Sequence, residues 1–129
     1  MEKNRKIILV TEDDKSLRGA LDDKLISEGF TILEAKDGEE GLAISLVEHP
    51  DLILLDIAMP KMDGMSMLKK LREDSWGKTV PVIILTNLSS ADEERNKDIT
   101  ELEPTYYFIK TDIKIEEVVD KIKERLGLI

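Results

Sequence analysis

Apolar residues in this chain alternate between two patterns. Unbroken runs at Ile7-Ile8-Leu9-Val10-Thr11, Leu52-Ile53-Leu54-Leu55 and Pro81-Val82-Ile83-Ile84-Leu85-Thr86 are rich in branched aliphatic residues. Continuous apolarity of that length predicts strands buried on both faces, as in the middle of a parallel sheet. Phe30 to Glu34 and Tyr106 to Ile109 read as two further strands. Between the runs, apolar residues recur every three or four positions, the spacing of a helix with one buried face.

Leu17, Leu21 and Leu25, with Ala20 beside them, mark a first helix closing near Glu28-Gly29. Asp37 with Glu40 three places on starts a second helix, whose apolar stripe is Leu42, Ala43, Leu46 and Val47. His49-Pro50 ends it, because proline disfavours helix in the residue before it. Met65, Leu68 and Leu71 mark a third helix after a turn over Pro60 to Gly64. Ala91 to Leu102 reads as a highly charged fourth helix, weakly anchored because its apolar positions are few (Ala91, Ile99 and Leu102). Ile115, Val118, Val119, Ile122 and Leu126 line one face of a fifth.

The order is βαβαβαβαβα. Alternation of this kind predicts an α/β fold: a five-stranded parallel sheet with helices on both faces and right-handed crossovers. Two topologies compete. A dinucleotide-binding half-fold wants a Gly-rich loop after the first strand. Glu12-Asp13-Asp14 stands there instead and would repel a pyrophosphate. The strand order 2-1-3-4-5 is therefore expected.

That order puts the switch point between strands 1 and 3, at the carboxyl edge where open α/β sheets bind ligands. Glu12 and Asp13 end strand 1, Asp56 ends strand 3, Thr86 ends strand 4 and Lys110 ends strand 5. Four strand ends thus deliver three carboxylates, a hydroxyl and an ammonium to one edge. Two unit charges ~4 Å apart repel by about 4 kcal/mol at an effective dielectric of about 20. Clustered carboxylates must protonate, spread apart or hold a cation. Lys110 offsets one charge. Oxygen-only ligands select Mg²⁺ or a close substitute for the rest, and Mg²⁺ held this way usually serves phosphate chemistry. Thr86 and Lys110 then read as partners of phosphoryl oxygens, and Asp56 as a nucleophile able to form an aspartyl phosphate.

Glu12-Asp13, the run Leu54-Leu55-Asp56 continuing through Met59-Pro60 to Asp63-Gly64, Thr86 and Lys110 together resemble the receiver domain of bacterial response regulators, the CheY-like family. The resemblance covers essentially the whole chain, so residues 1–129 are expected to form a single, stand-alone receiver domain of flavodoxin-like architecture. It implies that Asp56 accepts a phosphoryl group, with Mg²⁺, from the phosphohistidine of a sensor histidine kinase or histidine phosphotransfer protein in a two-component system. It implies Asp13 and Asp56 as direct metal ligands, Glu12 through water, and the backbone carbonyl of Ala58. Thr86 and Lys110 would contact the phosphoryl group, and Tyr107 would be the switch aromatic coupled to Thr86. Asp14 falls just after the acidic pair and is placed at a helix cap. Output is expected through an unknown partner, at the face of the fourth helix, fifth strand and fifth helix, or through self-association. Two positions depart from the family pattern: Thr111 stands where proline usually follows the lysine, and Asn87 stands where a small residue usually follows the threonine. Leu88 and Ala58 flank the site and are apolar, which predicts slow self-dephosphorylation because neither positions an attacking water.

Composition narrows the alternatives. With 28 acids against 19 bases the net charge is −9, a field that disfavours direct nucleic-acid binding. There are no cysteines, which suits a cytoplasmic setting. No apolar run approaches the ~18 residues of a membrane span. Aromatics make up 4%, so the core must be aliphatic. Met59, Met62, Met65 and Met67 read as core and loop filler, Trp76 as loop packing and the single histidine, His49, as a surface cap residue. Two rivals remain. An aspartyl-nucleophile phosphatase typically wants a second Asp two residues on, where Ala58 stands. A receiver-like interaction module that is never phosphorylated is the other, kept open by Asn87 and Thr111.

Overall fold

A computed structural model describes residues 6–57, 62–86, 106–109 and 114–128, with Thr86, Tyr106, Tyr107 and Ile109 described by their backbone alone. The elements are β1 (Ile7–Thr11), α1 (Lys15–Ser27), β2 (Thr31–Ala35), α2 (Gly38–Glu48), β3 (Leu52–Asp56), α3 (Gly64–Glu73), β4 (Val82–Thr86), β5 (Tyr106–Ile109) and α4, the last helix (Ile115–Arg125). The strands form one sheet in the order β2-β1-β3-β4-β5, and every neighbouring pair is parallel. This is the expected architecture. The charged helix read over residues 91–102 lies outside the described residues.

Two cores explain the unbroken apolar runs. Successive strand residues point to opposite faces, and here both faces are covered. Ile8, Val10, Leu52, Leu54, Ile83 and Leu85 pack with Leu21 and Leu25 of α1 and Val118, Val119 and Ile122 of α4. Leu9, Ile53, Leu55, Val82 and Ile84 pack on the other face with Met67, Leu68 and Leu71 of α3. The stripe read for the last helix is the buried one: Val118, Val119 and Ile122 are in the core and Ile115 and Leu126 pack against it.

Among the described residues, Asp carboxylates start three of the four helices. Asp14 Oδ1 accepts from the amides of Ser16 and Leu17, Asp37 Oδ1 from Glu40 and Asp63 Oδ1 from Ser66. Each satisfies amides that a helix start leaves without an intrahelical partner. His49 caps α2 in the left-handed region, φ 47°. It is exposed and stacks on Trp76, with ring centroids 4.3 Å apart and planes 11° from parallel. Trp76 in turn packs against the second core, the loop-packing role expected for it. Met62, Met65 and Met67 also belong to that core or its edge, whereas Met59 lies outside the described residues.

The second helix corrects the sequence reading. Leu42 does pack at the core, but Ala43 is exposed, Leu46 is 40% exposed and Val47 79%. The buried residues of α2 are Gly38, Gly41 and Ser45. Size, not hydropathy, decides. A Cβ on Gly41 would lie 2.9 Å from Thr11 Cγ2 and 3.0 Å from Met67 Sδ, so α2 backs against β1 and α3 through its smallest residues. Ser45 satisfies its own hydroxyl by donating to Gly41 O at 2.7 Å.

Candidate functional site

Strand register builds the site. Thr11 pairs with Leu55, and Asp56 with Leu85. Glu12, one residue beyond Thr11, therefore leaves the sheet level with Asp56. Glu12 is fully buried, Asp56 is 1% exposed and Asp13 is exposed. One carboxylate oxygen from each of the three lies within 4.8 Å of the others. Two almost fully buried acids beside a third form a dense negative focus open to solvent on the Asp13 side.

The backbone around the acids is held from several directions. Glu12 N donates to Ala35 O at 3.0 Å, and Asp14 N donates to Glu12 Oε2 at 3.0 Å. Asp14 itself caps α1, as expected, and is not one of the clustered acids. After β3, Ile57 N donates to Leu85 O at 3.1 Å and Gly64 N to Ile57 O at 2.8 Å. Gly38 N donates to Met62 O at 2.9 Å, which ties the start of α2 to the end of the loop following Asp56. No side chain is possible at that contact, since a Cβ on Gly38 would fall 2.1 Å from Met62 O.

Thr86 pairs with Ile109 in the sheet, so it ends β4 at the carboxyl edge, and Tyr107 pairs with Ile84 in β5. The sheet therefore carries the chain to the edge at each strand named in the sequence reading. Ala58 and Lys110 lie outside the described residues, as do Asn87, Leu88 and Thr111.

Sequence reasoning missed the polar group behind the acids. Arg18 Nε donates to Glu34 Oε2 at 3.1 Å, and its Nη1 donates to the backbone carbonyl of Glu12 at 2.7 Å. Asp22, one helical turn beyond Arg18, is 8% exposed and shares a hydrogen bond with Glu34. Burial, with the hydrogen bond to Glu34 and its negative charge, pushes the Asp22 carboxyl up to about 7. The same hydrogen bond, helped by Arg18, holds Glu34 below the usual range. Asp22 is thus the protonated partner and Glu34 the carboxylate. The signal available in the sequence was the i, i+4 spacing of Arg18 and Asp22 on one side of a helix.

This pair gives stability a pH dependence. Folded Asp22 keeps its proton to about pH 7, while an unfolded Asp loses it near 4. Between those values the folded state binds more protons, so stability falls as pH rises through the window. Asp22→Asn removes that cost and still donates to Glu34. Relative to wild type it should gain on the order of 2 kcal/mol at pH 8, the gain shrinking towards pH 4. Urea denaturation of both proteins across that range checks it, and a gain independent of pH contradicts the assignment.

An α/β sheet with an acidic cluster at its carboxyl edge defines a class, and comparison with known proteins gives the family. Residues 8–123 match the response regulator receiver domain. The chain belongs to that family. It is 44% identical over 88 residues to a protein of Cyanophora paradoxa named "Probable transcriptional regulator ycf27". That match covers 68% of this chain and only 36% of the relative, so the chain spans about a third of the relative's length. Among solved structures it is similar to the CheY-like response regulator receiver domain protein from Methanospirillum hungatei, with TM-score 0.86 and 27% identity over 96% of this chain and 95% of the other. It is also similar to a chain of the CheX-CheY-BeF3-Mg²⁺ complex from Borrelia burgdorferi, with TM-score 0.82 and 27% identity over 94% of this chain and 89% of the other.

Proposed function

We propose that this receiver domain is a phosphorylation-driven switch whose phosphoacceptor is Asp56. The observation that carries the reading is the position of Asp56, 1% exposed, at the end of a central strand with the carboxylates of Glu12 and Asp13 within 4.8 Å. Such a set suits a hard divalent cation: all donors are oxygens, and the negative charge is concentrated at one open edge. Glu12, Asp13 and Asp56, with the Ala58 carbonyl, would hold Mg²⁺, Glu12 through a water. A bound Mg²⁺ would neutralise charge on the carboxylates and on the incoming phosphoryl oxygens.

In the reaction, a carboxylate oxygen of Asp56 forms a bond to phosphorus as the phosphorus–nitrogen bond of a donor phosphohistidine breaks. The imidazole nitrogen leaves with the electron pair. Lys110 supplies a positive charge to the phosphoryl oxygens and the Thr86 hydroxyl a hydrogen bond. Thr86 moving to that group would free space for Tyr107 to turn inward. The changed face of β5 and its neighbouring helices would then select a downstream partner, by a shift between two pre-existing states. The donor class is a sensor histidine kinase or histidine phosphotransfer protein, and the setting is the cytoplasm. Among the described residues no helix is long and apolar enough to cross a membrane.

Acetyl phosphate with Mg²⁺, followed by weighing of the intact protein, tests the reading. The wild type should gain one phosphoryl group, and neither Asp56→Asn nor wild type in chelator should. No gain by the wild type would favour a non-phosphorylated module. Steady turnover of a phosphoester would favour a phosphatase.

A further inference from the structure

Glu12 and Asp13 are joined by one peptide, and the carbonyl of that peptide accepts from Arg18 Nη1 at 2.7 Å. The other edge of the guanidinium is engaged by Glu34 at 3.1 Å. Arg18 stands on the first turn of α1, where its amide donates to Asp14 O at 2.9 Å, and its side chain is 19% exposed. Glu34 belongs to β2, paired with Val10 of β1, and its neighbour Ala35 accepts from Glu12 N. The acidic turn is thus held at its amide by β2 and at its carbonyl by Arg18. A guanidinium is suited to this, because its planar fork can face two acceptors at once. Asp22 hydrogen-bonds Glu34 from the neighbouring turn of α1 and limits where the Glu34 carboxylate can go.

We propose that Arg18 is a positioning residue for the metal site: aimed by Glu34, it fixes the Glu12–Asp13 peptide and so sets the spacing of the two carboxylates. This rests on the reading that the cluster receives Mg²⁺. Partners behind metal ligands, which touch no metal themselves, commonly change metal affinity by about 10–100-fold when lost. Arg18 acts here through a backbone carbonyl rather than a ligand side chain, so the lower end is expected.

Charge alone predicts the opposite sign. Arg18 is a cation close to a cation site, and removing it should tighten Mg²⁺ binding through relief of repulsion. Positioning predicts weakening. The two accounts are therefore separable by the direction of one number.

Calorimetric titration of the full chain with Mg²⁺ supplies that number. Arg18→Met keeps much of the apolar stem and should weaken Mg²⁺ binding about tenfold. Arg18→Lys keeps the charge but loses the fork and should show an intermediate loss. Should the methionine variant not fold, the lysine variant decides alone. Lys123→Met, which breaks the Lys123–Glu28 ion pair between α4 and the end of α1, should leave affinity unchanged and so controls for general loosening. In the acetyl phosphate assay, the Arg18 variants should need more Mg²⁺ for half-maximal incorporation yet reach the wild-type rate at saturation. Wild-type affinity in Arg18→Lys, or equal or tighter binding in Arg18→Met, overturns the role given to Arg18 while leaving the metal site intact. A wild type that binds no Mg²⁺ overturns the metal reading itself, and this inference with it.

Discussion

Asp56→Asn should abolish phosphoryl incorporation and, in metal-free buffer, melt at a higher temperature than the wild type. The first effect follows from loss of the nucleophilic oxygen. The second follows from the geometry of the cluster. Two unit charges 4.8 Å apart repel by about 3.5 kcal/mol at an effective dielectric of about 20, and Asp56 takes part in two such pairs. The nearby Arg18 guanidinium and solvent on the exposed Asp13 side reduce the net, so a gain on the order of 2 kcal/mol is expected. For a domain of this size that is roughly a 5–10 °C rise in melting temperature.

Mg²⁺ should close the gap. A ligand that binds only the folded state stabilises it by about 2.7 kcal/mol when present at about 100 times its dissociation constant. The wild type gains this and the variant, with a ligand removed and less charge to neutralise, gains little. Melting curves of both proteins in chelator and across a Mg²⁺ series read the crossover directly. An Asn variant that melts at or below the wild type without metal would mean the carboxylates are already compensated, and the case for a cation site would lose its electrostatic basis.

The acids of this cluster were legible in the sequence because Glu12 and Asp56 directly follow apolar runs and Asp13 comes one residue later. A strand buried on both faces leaves little freedom in where it ends, and parallel pairing then aligns the ends. Asp56 could be placed from Leu52 to Leu55, and Glu12 and Asp13 from Ile7 to Thr11. Helix starts were legible where a capping Asp precedes the apolar spacing, as at Asp37.

The misreading of α2 has a physical cause. Leu46 and Val47 satisfy a helical spacing, but the helix approaches β1 and α3 so closely that small residues, Gly38, Gly41 and Ser45, take the buried positions while Leu42 and Ile44 pack at the edge of the core. Apolar periodicity reports what water excludes and not how near two backbones come. Arg18, Asp22 and Glu34 were hidden for a different reason. Their meaning lies in contacts between a helix and a strand sixteen residues away, and Arg18 acts on a backbone carbonyl that carries no side-chain signature. In the sequence alone Asp22 is one more acid in a chain with 28.

Gly64 is where close approach meets the chemistry. It opens α3 directly against the exit of β3, and a Cβ there would lie 2.3 Å from the carbonyl oxygen of Asp56 and 2.8 Å from Ile57 Cα. Neither neighbour is a flexible side chain that can swing aside. Gly64→Ala must therefore move α3 outward, at the expense of the fully buried Met67, Leu68 and Leu71, or move the backbone that carries Asp56. Overpacking of this kind typically costs 1–3 kcal/mol. Displacement of a reacting group by about 1 Å can lower a rate by about 100-fold. Gly64→Ala should accordingly lose roughly 2 kcal/mol of stability and incorporate phosphate from acetyl phosphate at least about tenfold more slowly at saturating Mg²⁺. Gly19→Ala gives the contrast, since a Cβ on Gly19 meets nothing within 4 Å and the residue lies within α1. There the same substitution should stabilise by up to about 1 kcal/mol through helix propensity and leave the incorporation rate alone. Chemical denaturation and timed incorporation on the two variants separate backbone crowding at Asp56 from the general effect of replacing a glycine. A wild-type rate in Gly64→Ala would show that the position of Asp56 does not depend on the contact with α3.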